Sequence, residues 1–392
     1  MTAPTFRDVR HVLPWIASLF LAACEANSPS DVNYSTVVTG AAYGCGFHDD
    51  GVLDCWGNNL DGQLGVGSSA DDRLSPGRVG GGHHFVMADA GVGHTCAVAF
   101  GGEAWCWGSH LWGQLGSGRQ PEGEFPLERS PVRVAGDLRF SSVGVGVSHS
   151  CGLTNEGEAW CWGAGPQGQR GDGATGFDRV VSPVRVAGGH RFMALAVGGD
   201  HACALTEEGA AFCWGRNYAG QLGDGTTTDR AEPVPVAGGV AFQTLDAGSN
   251  TTCAVTRDGA AWCWGRGDAG QRGDGELGDR PTPAAVGGGL HFDAIRVGGA
   301  HTCAVTVERE AWCWGDGADG LLGDGGTAQR TLPVRVLGGL EWEIVTPGTS
   351  HTCGTTRQGA LYCWGDNFSG QLGDGTRTPS LVPRRIAGGE AS

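Results

Sequence analysis

From residue 34 onward, short apolar stretches rich in Val, Thr and Trp alternate with turns built from Gly, Asp and Asn. Glycine is costly inside a regular helix, so stretches this brief and this Gly-punctuated predict short β-strands joined by tight turns. One frame recurs along the chain. It reads Pro-Val-x-Val-x-Gly-Gly, a Phe-containing strand, Gly-x-x-His-Thr-Cys-Ala-Val-Thr, a turn, Ala-Trp-Cys-Trp-Gly, and Gly-Gln-Leu-Gly-Asp-Gly. A long fixed period of this kind marks a propeller or solenoid array. The expected fold is all-β, a seven-bladed β-propeller of four-stranded blades over residues 34–389, with a tail at 390–392. Radial closure protects strand edges that would otherwise pair with other chains. The chain enters at Tyr34-Ser-Thr-Val-Val without a preceding Pro-Val strand and exits at Val382-Pro-Arg-Arg-Ile. The expectation is therefore that the C-terminal strand completes the N-terminal blade.

The cysteines follow the same period. Of the 15 Cys, all but Cys24 fall into C-x9-C pairs: Cys45 with Cys55, Cys96 with Cys106, Cys151 with Cys161, Cys203 with Cys213, Cys253 with Cys263, Cys303 with Cys313, and Cys353 with Cys363. Structural zinc sites bring ligands together at much closer spacing. In the fourth unit, a type I turn closed by Gly209 in the left-handed region makes Thr206 and Ala210 partners. Cys203 and Cys213 then face each other as a non-hydrogen-bonded pair, within reach of a disulfide. Each bridge closes a loop of about ten residues, for which chain entropy gives roughly 2.5–3 kcal/mol, less what the local hairpin already supplies. Trp follows the second Cys in every unit (Trp56, Trp107, Trp162, Trp214, Trp264, Trp314 and Trp364). Alternation puts it on the sheet face opposite the disulfide, where it is expected to seat one blade against the next.

Upstream of the array, Arg7 and Arg10 precede an apolar run from Val12 to Ala23 that ends in Leu21-Ala22-Ala23-Cys24. That tetrad resembles a bacterial lipobox. Residues 1–23 read as a lipoprotein signal peptide, Cys24 as the lipidated residue, and residues 24–33 as a short tether. The run is too short to span a bilayer, so membrane attachment is expected through the lipid alone. An exported chain also suits paired Cys. Glu25 after the lipidated Cys favours the outer membrane or cell surface over the inner membrane.

Charge and composition exclude several chemistries. The formal charge is −16 and the 26 basic side chains are all Arg. With no Lys there is no Schiff-base lysine and no Gly-Lys-Ser phosphate loop, and an acidic chain makes a poor nucleic-acid partner. Neither Gly-x-Ser-x-Gly nor His-Glu-x-x-His occurs.

The repeated Gly-x-x-His, Trp-Gly and Gly-Gln-Leu-Gly signature, as in Gly-Val-Ser-His149, Trp214-Gly215 and Gly220-Gln-Leu-Gly223, resembles the regulator of chromosome condensation family of seven-bladed propellers. Paired Cys depart from the nuclear members and suit an exported version. The family's roles include guanine-nucleotide exchange, ultraviolet-B reception and β-lactamase inhibition, so the resemblance implies a fold and not one activity. Exchange on a nuclear GTPase does not suit an exported lipoprotein.

Candidate sites are weighed against this frame. His94, His149, His201, His301 and His351 recur one per unit, which suits hydrogen bonding within the ring better than a metal. Asp172, Asp224, Asp274, Asp324 and Asp374 are single carboxylates in Gly-Asp-Gly turns, unlike the several alternating ligands of a calcium loop. No metal or cofactor is expected. Thr256-Arg-Asp258-Gly-Ala-Ala-Trp262 resembles the Asp-box of sialidase propellers without recurring in most units. The four residues between Trp-Gly and Gly-Gln vary most and should emerge on one side of the ring. Leu111, Trp112, Tyr218 and Phe368 there, with Asp268 and with Phe125 of the long second-to-third-unit insertion, form the expected partner-binding set. The function expected is that of a non-catalytic, monomeric cell-envelope lipoprotein whose propeller binds a protein or a glycan. The alternatives are an envelope polysaccharide hydrolase or lyase using carboxylates around the axis, and a purely structural envelope component.

Overall fold

A computed structural model describes residues 32–67, 71–124 and 126–386. The signal segment, Cys24, the tether up to residue 31, Phe125 and residues 387–392 lie outside the described residues. Seven antiparallel four-stranded sheets follow one another along the chain. Blade 1 runs from Thr36–Thr39 at the axis through Tyr43–Phe47 and Leu53–Gly57 to Arg73–Arg78 at the rim. Blades 2 to 6 repeat this order over 85–133, 140–185, 194–235, 244–285 and 292–335. Blade 7 comprises Trp342–Pro347, His351–Thr356, Leu361–Gly365 and Ser380–Arg385.

Closure by strand exchange is corrected. The C-terminal strand Ser380–Arg385 pairs with Leu361–Gly365 of its own blade, and blade 1 supplies its own outer strand, Arg73–Arg78. The Pro-Val strand thus ends a blade and does not begin one. What closes the ring is a side-chain and loop latch repeated at every seam. The Trp264 indole donates to the Gln221 carbonyl of the preceding blade at 3.0 Å, and the last seam repeats it with Trp56 and the Gln371 carbonyl at 2.9 Å. Rim bonds follow the same rule: Gly225 N donates to Pro281 O, and Gly375 N of blade 7 to Leu74 O of blade 1. A Cβ on Gly223 would lie 2.7 Å from Trp264 Nε1, and its φ of +69° is left-handed, so the loop can pass over the ring only as glycine.

The Cys pairs form the seven expected disulfides, each within one hairpin. Cys45 is bonded to Cys55, Cys96 to Cys106, Cys151 to Cys161 and Cys203 to Cys213. Cys253 is bonded to Cys263, Cys303 to Cys313 and Cys353 to Cys363. Cys203 and Cys213 are direct partners with Cα atoms 4.1 Å apart, the close spacing of a non-hydrogen-bonded pair. The turn is as expected, with Thr206 N bonded to Ala210 O and Gly209 at φ +86°. Each disulfide lies in one core cluster with the Trp of the following blade, as Cys203–Cys213 does with Trp264 and Cys353–Cys363 with Trp56. The blades therefore share seven small cores. In each, the aromatic at or just before the inner strand leans on the Trp of its own blade, as Phe242 does on Trp264 with centroids 5.9 Å apart.

The repeated histidines are buried links of the same seams. Thr252 Oγ1 donates to the Gln221 carbonyl at 2.9 Å and therefore accepts from His201 Nε2 of the preceding blade, also at 2.9 Å. His94 meets Ser150, and His301 meets Thr352, in the same way. His149 and His351 face Ala202 and Gly44, which carry no hydroxyl, and both of their ring nitrogens are without a partner among the described residues. Burial pushes His94, His201, His301 and His351 down to about 3 and His149 down to about 4. All five are neutral near pH 7.

Candidate functional site

In each antiparallel blade the inner and third strands run in the same direction. The turns after inner strands and the variable loops after third strands therefore emerge on one face of the ring. Each loop is moored to its own blade there: Asn58 N bonds Ala42 O, Arg216 N bonds Asp200 O, and Asp366 N bonds Ser350 O. The repeated Gln caps the loop from beneath, as Gln114 Oε1 accepts from Trp112 N at 2.7 Å and Gln371 Oε1 from Ser369 N at 2.8 Å. Blade 6 has Leu321 at this position and lacks that cap. The loops are thus variable in side chain on a fixed backbone.

Of the expected contact residues, Tyr218 is 47% exposed and Phe368 78% exposed. Asp268 is exposed and clamped to Arg266, with oxygen–nitrogen distances of 2.9 and 2.6 Å. Leu111 and Trp112 are half-buried. Arg179 covers the Trp112 ring at 5.8 Å, and Arg216 covers Tyr218 at 4.6 Å. Further exposed apolar side chains on this side lie outside the expected set, among them Leu60, Phe177 and Leu277. Leu60, 67% exposed, stands in the loop position that Tyr218 and Phe368 occupy, so aligning the loops finds it. Phe177, 75% exposed, begins the unusually long outer strand Gly176–Arg185 of blade 3 and lies outside the repeated frame.

Beneath the loops, two interchangeable supports appear. In blades 4 and 7 an Asn amide holds the Gly-Asp-Gly turn: Asn217 Nδ2 donates to Asp224 and to the Thr226 and Thr228 carbonyls, while a Leu fills the core behind it. In blades 3 and 5 the Asn is Gly165 or Gly267, and the Leu is a buried Arg, Arg170 or Arg272, paired to Asp172 or Asp274. A Cβ on Gly165 would sit 2.4 Å from Arg170 Nη1, so guanidinium and amide compete for one space. We expect Gly165→Asn to lose about 1–3 kcal/mol by overpacking. Gly165→Asn/Arg170→Leu should recover most of that loss in urea unfolding; equal loss in both variants would refute the exchange. The turn carboxylates are also matched from the rim, by Arg230 to Asp224 at 2.8 Å, Arg330 to Asp324 at 2.9 Å and Arg384 to Asp374 at 2.7 Å. Their chemistry here is that of turn and ion-pair partners.

A cavity of about 400 Å³ follows the axis, lined by inner strands of every blade. The residues that pair with the first Cys of each blade share one level of its wall: Val38, Asp89, Gly144, Ala196, Asp246, Arg296 and Thr346. Asp89 accepts from Ala90 N at 3.0 Å and Val145 N at 2.8 Å; Asp246 accepts from Val297 N at 2.7 Å. Withdrawal from bulk water pushes Asp89 up to about 7 and raises Asp246 as well. The Asp-box-like Asp258 lies elsewhere, in a hairpin turn where it accepts from the Thr256 hydroxyl.

Comparison with known proteins bears on this architecture. A family model described as the RCC1-like domain matches residues 21–346, and a regulator of chromosome condensation repeat matches residues 347–371. The ultraviolet-B receptor UVR8 of Arabidopsis thaliana is 33% identical over 213 residues, covering 54% of this chain and 47% of UVR8. Human E3 ubiquitin-protein ligase HERC2 is 33% identical over 197 residues, 49% of this chain and 4% of HERC2. The chain thus spans less than half the length of these curated relatives. Among solved structures, human WBSCR16 superposes with TM-score 0.76 at 22% identity, covering 86% of this chain and 93% of WBSCR16. Prp20p of Saccharomyces cerevisiae, described with its binding to Gsp1p and histones, gives 0.74 at 22% identity over 87% of each chain. At these identities the structural likeness carries the fold alone.

Proposed function

Given that this chain belongs to the RCC1-like domain family, we propose that it is a non-catalytic propeller that binds a protein through its variable-loop face. The observation that carries this reading is that face itself: Leu60, Tyr218 and Phe368 stand exposed on moored loops from three blades. Apolar and aromatic anchors ringed by polar groups, held on a rigid scaffold, have the composition of a binding hot spot. Its relative Prp20p is described as binding Gsp1p and histones, which supports a protein as the partner class. A glycan on the same aromatic residues is the narrower alternative within this reading. The carboxylates of Asp89 and Asp246 are braced across their seams by backbone amides of the next blade.

Seven disulfides fit an oxidising, extracellular environment, and among the described residues no helix is long and apolar enough to cross a membrane. The finer proposal is a monomeric envelope lipoprotein anchored at Cys24, with the partner-facing loops turned outward. Crosslinked pull-down from an envelope extract tests the face. Trp112→Ala/Tyr218→Ala/Phe368→Ala should lose the recovered protein by at least about tenfold, as loss of two or three hot-spot side chains implies. Equal recovery with wild type would sink the assignment.

A further inference from the structure

Asp89 and Asp246 use one device in two places. Each reaches from the inner strand of its blade to a backbone N–H of the next, Val145 or Val297. The next blade differs, however. Beside Asp246 it carries Arg296 at the same level, whose charge favours the ionised carboxylate. Beside Asp89 that level holds Gly144, followed by Ala196 in blade 4, so no side-chain cation stands there. Neither carboxylate forms an ion pair among the described residues, and the cavity wall at this level carries two acids and one guanidinium. Each carboxylate oxygen that accepts one amide keeps a further lone pair. The surrounding wall is largely Val and Gly, including Val86, Val92 and Val147. Its volume of about 400 Å³ lies within the ordinary range for a small-ligand pocket.

A wall that mixes Val and Gly with hydroxyl groups such as Thr39, Ser249 and Thr346, and holds a carboxylate that no side-chain cation adjoins in the next blade, suits an organic cation better than a hydrated metal ion. We infer that the axial cavity binds an alkylammonium or alkylguanidinium group at Asp89, where the next blade offers no side-chain cation. The group could come from a free amine or from a side chain of a bound protein. This site is separate from the loop face, and its test does not depend on that reading.

Titration calorimetry of the full chain with putrescine, L-argininamide and acetyl-Gly-Arg-Gly-amide addresses it, with the uncharged L-citrullinamide as the control. A cationic probe should bind at least about tenfold more tightly than citrullinamide, and Asp89→Asn should lose at least about tenfold. Binding of the free amines alone identifies a small-molecule ligand; binding of the peptide alone identifies a protein side chain. A second readout needs no variant. The groups acting on Asp89 are Asp246 and Arg296 around the channel and Tyr43 of blade 1, while its own second strand carries His94; the inner strands of blades 1 and 3 have no titratable residue. Wild-type affinity should therefore fall by at least about tenfold from pH 8 to pH 5.5 as Asp89 takes up a proton. Failure of every cationic probe to bind at about 10 mM overturns the site. So does equal binding of citrullinamide, unchanged affinity of folded Asp89→Asn, or a flat pH profile.

Discussion

Acidification from pH 7 to pH 5 should destabilise this propeller by several kcal/mol, well before its surface carboxylates titrate. Five buried histidines carry the effect. Their folded-state values of about 3 to 4 lie below the ordinary value of 6.5, so the unfolded chain binds more protons over that interval. The stability they contribute is complete above about pH 6.5 and falls as the pH drops, by roughly 1.4 kcal/mol per pH unit for each histidine. Asp89 and Asp246 act in the opposite sense. Raised in the folded state, they favour folding as the pH falls toward the ordinary carboxylate value, and they offset part of the histidine loss. With Asp89 taking up one proton in the folded state and Asp246 adding in the same sense, the net slope should stay below about four protons. Urea unfolding between pH 7.5 and 4.5 measures it, and His201→Gln should flatten the slope by about one proton. A midpoint that does not move with pH would contradict the neutral, buried state of these rings.

Trp56→Ala should cost about 3–5 kcal/mol, as much as Trp264→Ala in the middle of the chain. Both indoles are fully buried, both sit against the disulfide of the preceding blade, and both donate to a loop carbonyl across a seam. Removing either leaves a cavity and a buried carbonyl short of one donor. Because the seam between blades 7 and 1 carries the same Trp–carbonyl latch as the other six, the two losses should be alike. A Trp56→Ala loss below about 1 kcal/mol, beside a full loss for Trp264→Ala, would show that something other than this latch closes the ring.

Much of this was legible because the repeat compares a sequence with itself seven times. The Cys203–Cys213 register follows from the turn at Gly209 and the two-residue period of a strand, both of which are local. The position of Trp214 on the face opposite that disulfide follows from the same alternation. Three features were not legible in this way. The assignment of the Pro-Val strand to the end of a blade depends on which neighbour it pairs with, and a periodic sequence reads equally well from any starting strand. Phe177 gives no signal, since a lengthened outer strand carries it out of frame, whereas Leu60 is legible from its register with Tyr218. The conflict between Gly165 and Arg170 is invisible until both are seen to contend for one space.

The sequence by itself determined the number of blades, the number of strands in each, and the pairing of every disulfide-linked hairpin, because turn chemistry and side-chain alternation act over a few residues. Only the tertiary structure decided how blade 7 meets blade 1, which histidines find a hydroxyl, and which acids face the axis beside a cation. Those are contacts between residues about fifty or three hundred positions apart. Their energies depend on ring closure, which brings the Gln371 carbonyl to the Trp56 indole.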